Sequence, residues 1–160
     1  MRRLVCNATR ICAALAIAAA GLLWAAGPAS AQALSIDQRR DLLFGRVGTS
    51  DFPGTVTITP AGGKTTTGGV IDMGKNHRAA RFRIEGPRDA LVIVTLPTTA
   101  TVSGGGRTAT LSNFTMDLTN PINLGRTGRA TIDVGATLSL GTNLPAAEYA
   151  GTFVIFVDPQ

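Results

Sequence analysis

The chain has 160 residues, a formal net charge of +5 and 44% hydrophobic residues, which suits one globular domain. It contains a single histidine and two cysteines, which excludes metal sites built from several histidines or from four cysteines. Only 5% of the residues are aromatic, too few and too scattered to interleave with basic residues as in proteins that stack on nucleic-acid bases.

The first 31 residues have the pattern of an export signal. Three arginines accompany an uncharged apolar run at 11–26, and small residues in an Ala-x-Ala pattern end at Ala31. We therefore predict cleavage between Ala31 and Gln32, and export to the periplasm or cell surface of a Gram-negative bacterium. The apolar run is shorter than the roughly 20 residues that cross a bilayer, so we do not expect a retained membrane protein.

Cleavage changes the chemistry of what remains. The segment holds both cysteines and three of the 15 basic residues, which leaves 12 basic against 10 acidic residues, a net charge of +2. The predicted domain, residues 32–160, has no thiol and hence no disulfide, cysteine-ligated metal or cysteine nucleophile. A chain of this size buries about two thirds of its unfolded surface, enough for a core without disulfides.

The beginning of the predicted domain carries weak signals. Ser35–Gln38 could open a short, marginal helix as a capping box. We place the first strand at Leu42–Val47.

Three segments alternate apolar and polar residues with a period of two, the pattern of strands with one buried face. They are Gly54–Pro60, Ala79–Gly86 and Arg129–Gly141. In the longest of them the pattern places one apolar set inside, namely Ile132, Val134, Ala136, Leu138 and Leu140.

Two segments, Ala90–Val94 and Phe153–Val157, are apolar on both faces. Such runs are strands covered on both sides, or strands with one face open to a partner. Between them, the glycines of Ser103–Arg107 predict a hairpin that joins Thr99–Val102 to Thr108–Met116. Seven to nine short strands with Gly-rich turns and no convincing helix predict an all-β, antiparallel, immunoglobulin-like β-sandwich.

The stretch Pro60–Gly69, PAGGKTTTGG, contains the Gly-Lys-Thr that ends a phosphate-binding loop. That motif needs a glycine at position 58, which is Ile58 here, and a helix directly after the loop. Thr65–Gly69 cannot start a stable helix, so we predict no nucleotide site. The stretch is expected only to join the preceding strand to another at Val70–Met73.

Other catalytic patterns are weak. His77 lies in a polar turn and is predicted to be solvated, and no serine sits in a Gly-x-Ser-x-Gly elbow. The ten acidic residues are scattered singly, so a hydrolase using paired carboxylates is the least favoured alternative. We predict no enzymatic activity and no cofactor.

Basic residues are concentrated in one region, where only Glu85 opposes them: Lys75, Arg78, Arg81, Arg83 and Arg88. Because two of these arginines share the outward face of one predicted strand, an anionic surface polysaccharide is a candidate ligand. The alternative is a solvated strand face on which arginines discourage edge pairing. The modest net charge favours that alternative, and we expect no nucleic-acid binding.

Nearly the whole predicted domain resembles the bacterial exported family called domain of unknown function 4402. The most specific segment is Asp133–Val157, DVGATLSLGTNLPAAEYAGTFVIFV, with support from LFGR at Leu43–Arg46 and from Gly54–Val70, Ala79–Gly86, Leu96–Gly106 and Leu111–Asp117. The last strand is also similar, more distantly, to spore coat U and fimbrial subunit domains. The resemblance implies a pilin-like, immunoglobulin-like sandwich at the envelope or cell surface, with a structural or adhesive role and no established activity.

Fimbrial subunits associate by donating a strand that fills a neighbour's groove. The residues available here for such exchange, with the protein itself or with other envelope subunits, are Leu34, Ile36, Phe153, Ile155 and Val157. The N-terminal pair could instead belong to the first strand of the same domain. Because Pro159 cannot donate to a sheet, the last strand is predicted to stop at Val157.

We therefore expect a non-catalytic structural or adhesive protein of the cell envelope or surface. The first alternative is a periplasmic or surface module that binds an anionic glycan through the basic region.

Overall fold

A computed structural model of the protein describes residues 33–160. The predicted cleavage site at Ala31 and Gln32 lies outside these residues, which contain no helix and so none that could cross a membrane. The eleven strands are β1 Ser35–Arg40, β2 Arg46–Ile58, β3 Lys64–Asp72, β4 Ala80–Glu85, β5 Leu91–Thr95, β6 Thr99–Gly104, β7 Arg107–Met116, β8 Ile122–Asn123, β9 Arg129–Leu140, β10 Ala147–Glu148 and β11 Phe156–Pro159. All their pairings are antiparallel, and the predicted β-sandwich is confirmed.

Strand β9 organises the larger sheet. Its first half, residues 129–134, pairs with β4, and its second half, residues 136–140, pairs with β2. Its other edge pairs with β7, which pairs in turn with β6. The larger sheet therefore has two wings that share β9, one built from β1 and β4 and the other from β3, β2, β10, β7 and β6.

Two hydrophobic clusters follow from this arrangement. One lies under β2, β6, β7 and the second half of β9, and includes Phe44 and Tyr149. The other lies between the first half of β9, β4 and a smaller sheet of order β11-β5-β8. Leu42 and Phe114 pack against both clusters, so the two cores meet at these side chains.

The strongly patterned elements are confirmed. The three alternating segments form parts of β2, β4 and β9, and the predicted inward set of β9 is buried. The predicted hairpin is β6–β7, with Gly105 and Gly106 in its turn at φ of 56° and 75°. The prediction that PAGGKTTTGG only joins β2 to a strand at Val70–Met73 is wrong, because β3 begins at Lys64 and its threonines pair with β2. The turn covers only residues 59–63, and Thr59 N–H donates to the carbonyl of Gly63 (2.8 Å).

Two predictions near the N-terminus are wrong. Ser35–Gln38 belongs to strand β1, which pairs with β4, because this pairing and the packing of the alternating apolar side chains outweigh a marginal capping box. Leu42–Val47 is not one strand, since Leu43 makes an isolated bridge to Arg78 and β2 begins only at Arg46. Between them Gly45 has a φ of 78°, which interrupts an extended chain.

The predicted start and end of the last strand, Phe153 and Val157, are also wrong, since β11 begins only at Phe156. Strand β11 runs through Pro159, which lies opposite Val92 of β5. Gln160 N–H donates to the carbonyl of Leu91 (2.9 Å), so the neighbouring Pro159–Val92 pair is a non-hydrogen-bonded one. The proline nitrogen therefore faces the outer edge, where no donor is needed.

A glycine is required where β9 passes from one wing to the other. Gly135 lies between Val134, which pairs with Ala80 of β4, and Ala136, which pairs with Ile58 of β2. A Cβ on Gly135 would overlap the carbonyl oxygen of Ile58 and would lie 2.8 Å from the carbonyl carbon of Thr59. The end of β2 thus passes too close to β9 at this point for a side chain.

We expect Gly135→Ala to lower the free energy of unfolding by about 1–3 kcal/mol, because the added methyl group must displace backbone. Urea unfolding followed by circular dichroism measures this. Gly141→Ala is the matched control, since its added Cβ meets nothing within 4 Å, and its effect should stay below about 1 kcal/mol. Equal effects of the two substitutions would contradict this account.

Candidate functional site

The two arginines of the predicted basic region that lie on β4, Arg81 and Arg83, both form ion pairs. The guanidinium of Arg81 donates through Nε and Nη2 to the two carboxylate oxygens of Asp133, both at 2.7 Å. Arg40 Nη2 lies 3.5 Å from the same carboxylate. Next along the strand, Arg83 Nε lies 2.8 Å from Glu85, and Arg129 Nε lies 3.3 Å from the same carboxylate. Each strand arginine therefore faces a carboxylate that it shares with a second arginine.

Asp133 stays ionised because of this contact. The hydrogen bonds from Arg81 lower the pKa of the Asp133 carboxyl below its usual 3.8, and partial burial opposes the effect without cancelling it. The same bonds raise the pKa of Arg81. Sequence reasoning missed Asp133 as a partner because it lies 52 residues away along the chain and comes opposite Arg81 only through the β4–β9 register.

The other basic residues lie outside the strands. Lys75, Arg78 and Arg88 are exposed, and none forms a salt bridge within residues 33–160. Arg78 sits at the bridge to Leu43, while Arg88 belongs to the turn before β5. The five residues of the predicted polyanion contact therefore fall into two groups, the ion-paired arginines of β4 and the exposed loop residues.

We expect Asp133→Asn to lower the free energy of unfolding at pH 7, because the ionised carboxylate is hydrogen-bonded in the fold. A depressed pKa contributes stability that is fully present above the unfolded value and is lost as the pH falls through the folded value. The difference between wild type and variant should therefore shrink below pH 3.8 in urea titrations. Asp37→Asn, which breaks an exposed pair with Arg39, should change little, and an equal loss there would contradict the proposed cause.

The predicted strand-exchange residues come together inside one chain. Ile36 lies in β1 and Leu34 comes directly before that strand. Both side chains pack against the hydrophobic cluster that Phe153, Ile155 and Val157 also contact. The ring of Phe153 lies 6.0 Å from that of Phe82, measured between centroids. The N-terminal segment is therefore a strand of its own domain, as one of the two sequence interpretations expected.

We expect deletion of residues 32–40 to destabilise the domain, since it removes β1 and leaves the outer edge of β4 unpaired. Thermal unfolding of the variant measures the effect. If the protein forms polymers and β1 is a donor strand, the deletion variant should be a folded monomer. If β1 instead belongs to the fold of its own domain, the variant should lose its cooperative thermal unfolding transition. Arg39→Ala, an exposed change within the same strand, is the control.

Strand β5 has its second face open. Val92 and Val94 are buried, whereas Leu91 and Ile93 are 41% and 38% exposed. On the neighbouring β11, Phe156 lies opposite Thr95 and is 61% exposed. The outward face of the smaller sheet therefore carries exposed apolar side chains on two strands, beside the polar Thr95 and Asp158, which lie opposite Phe156 and Ile93. This fits the alternative in which a strand that is apolar on both sides has one face open to a partner.

A cleft opens where the two cores meet. It has a volume of about 560 Å³ and is walled by the Asp41–Phe44 segment on one side and the Tyr149–Phe153 segment on another. Phe82, Val102 and Leu111 complete its floor. Sequence reasoning missed it, because its walls are chain segments without regular structure that cross between strands.

The prediction of a solvated His77 is wrong, because the side chain is half-buried and its Nδ1 is buried without a hydrogen-bond partner. The carboxylate of nearby Asp72 accepts a hydrogen bond from Lys64 Nζ (2.7 Å), which lowers the pKa of Asp72. Within residues 33–160, no group of three or more histidine, cysteine or acidic residues is arranged to hold a metal ion.

A scan against protein-family models matches residues 34–158 to the domain of unknown function DUF4402. The chain belongs to this family. The match extends from the residue before β1 to Asp158 of β11, so this DUF4402 domain includes both wings and the smaller sheet. No curated protein and no solved structure gives a significant match.

Proposed function

We propose that this DUF4402 protein is an exported, non-catalytic structural or adhesive protein of the cell envelope or surface. The proposal depends chiefly on the exposed apolar side chains of Leu91, Ile93 and Phe156 on the outward face of the smaller sheet, where Asp158 lies opposite Ile93. Contiguous exposed apolar side chains on a sheet mark a contact surface for another protein more often than a catalytic site.

The edge beside this face supports the same role. Within residues 33–160, β11 pairs only with β5, so its outer edge is open to another strand. Pro159 removes one donor from that edge, while Val157 keeps its N–H and carbonyl there. A partner would therefore find a short pairing edge beside an apolar face, which limits uncontrolled edge-to-edge aggregation.

The family resemblance adds a structural or adhesive role at the cell surface, and the N-terminal sequence pattern adds export. The paired arginines of β4 lower the free positive charge available to an anionic glycan, so the apolar face is the better supported contact surface. The chain's own N-terminal and C-terminal strands already fill its core. We therefore place association at the outer surface of the smaller sheet rather than in an unfilled groove.

We expect the wild-type protein to associate with itself or with envelope subunits, and Ile93→Lys together with Phe156→Glu to abolish that association. Both side chains are substantially exposed, so the free energy of unfolding should change by no more than about 0.5 kcal/mol for each substitution. Static light scattering over a concentration series measures self-association, and pull-down from envelope extracts measures binding to other subunits.

Met73→Lys is the matched control, because Met73 is 63% exposed and lies just after β3, outside the smaller sheet. It should leave association unchanged. Association that survives the double substitution, or is lost equally in the control, would contradict the proposed surface. A protein found only in the cytoplasm after fractionation would contradict the proposed export.

A further inference from the structure

The cleft between the two cores has the size and lining of a ligand site. Its volume of about 560 Å³ lies within the range usual for small-molecule pockets, roughly 300–1,000 Å³. Its apolar wall includes the rings of Phe44, Phe82, Tyr149 and Phe153. The hydroxyl of Tyr149 donates to the carbonyl of Pro145 (3.4 Å), so the phenol has a partner outside the lining set.

A single charged side chain lines this cleft, the carboxylate of Asp41. Its Oδ1 accepts a hydrogen bond from Gln38 Nε2 (2.8 Å), which leaves Oδ2 without a partner within residues 33–160. Asp41 takes part in none of the salt bridges of those residues, although two arginines precede it. Those arginines, Arg39 and Arg40, face Asp37 and Asp133 instead.

We propose that the cleft binds a small amphipathic amine, with the apolar body against the aromatic wall and the cationic head beside Asp41. Burial of the alkyl or aryl body supplies most of the binding free energy. The unpaired carboxylate selects the head group, since it attracts a cation and repels an anion. This proposal goes beyond the structural role, because it concerns a different surface and does not require association.

Octyl compounds test the proposal because they carry the same apolar chain with three different heads. Octylamine is expected to bind about two- to fivefold more tightly than octanol, the effect of one ion pair with the exposed Asp41, and octanoate is expected to bind most weakly. Isothermal titration of the purified protein measures the three affinities. Amide chemical-shift changes in the same titration should concentrate at Leu42, Phe82 and Thr152, which line the cleft.

Variants at Asp41 separate head-group recognition from apolar binding. Asp41→Asn should equalise octylamine and octanol, and Asp41→Lys should make octanoate bind more tightly than octylamine. Asp51→Asn removes one negative charge from an exposed residue of β2 outside the cleft and should leave the wild-type order unchanged. Binding to the cleft in this order would support the site even if the protein proves to be a monomer.

Three results would overturn the proposal. They are equal affinities for the three compounds in the wild type, the absence of saturable binding, and shift changes confined to residues outside the cleft. Shifts at the cleft that grow with protein concentration in the absence of ligand would instead identify a second copy of the chain as its occupant, and would also overturn it.

Discussion

The close passage of the chain at Gly135 is the constraint on which the rest of the structure depends. One strand, β9, has to pair with β4 along its first half and with β2 along its second half, on the same edge. The end of β2 and the start of β4 meet β9 on either side of Gly135. Both can approach β9 there only because residue 135 has no side chain. Both hydrophobic clusters, and therefore the cleft between them, result from this junction.

The same register decides the electrostatics of the outward face. Because Ala80 pairs with Val134, Arg81 comes opposite Asp133 and its charge is offset within the sheet. The positive charge of this strand surface is thus reduced but not cancelled, because Asp133 is shared by Arg81 and Arg40 and Glu85 by Arg83 and Arg129. Apart from the exposed loop residues Lys75, Arg78 and Arg88, the surfaces that this domain offers for recognition are the outward face of the smaller sheet and the cleft.

The two apolar surfaces differ in kind. The outward face of β5 and β11 is open and lies beside an unpaired edge, which suits contact with another protein. The cleft is concave, has buried apolar side chains such as Phe44, Val102 and Leu111 in its lining and has one exposed carboxylate at its rim, which suits a small molecule. A structural protein of the envelope could use both, because neither surface includes residues of the other.

The sequence by itself determined the strands with strict alternation, such as Ala80–Glu85 and Arg129–Leu140, because a period of two places one face in the core whatever the strand pairs with. It also determined the family, through motifs spread along the chain. Only the tertiary structure decided the fate of weakly patterned segments: Ser35–Gln38 became a strand because β4 offered it a partner. The partner of Arg81 and the walls of the cleft were likewise out of reach, because they bring together residues far apart in the chain, and their contacts depend on strand register.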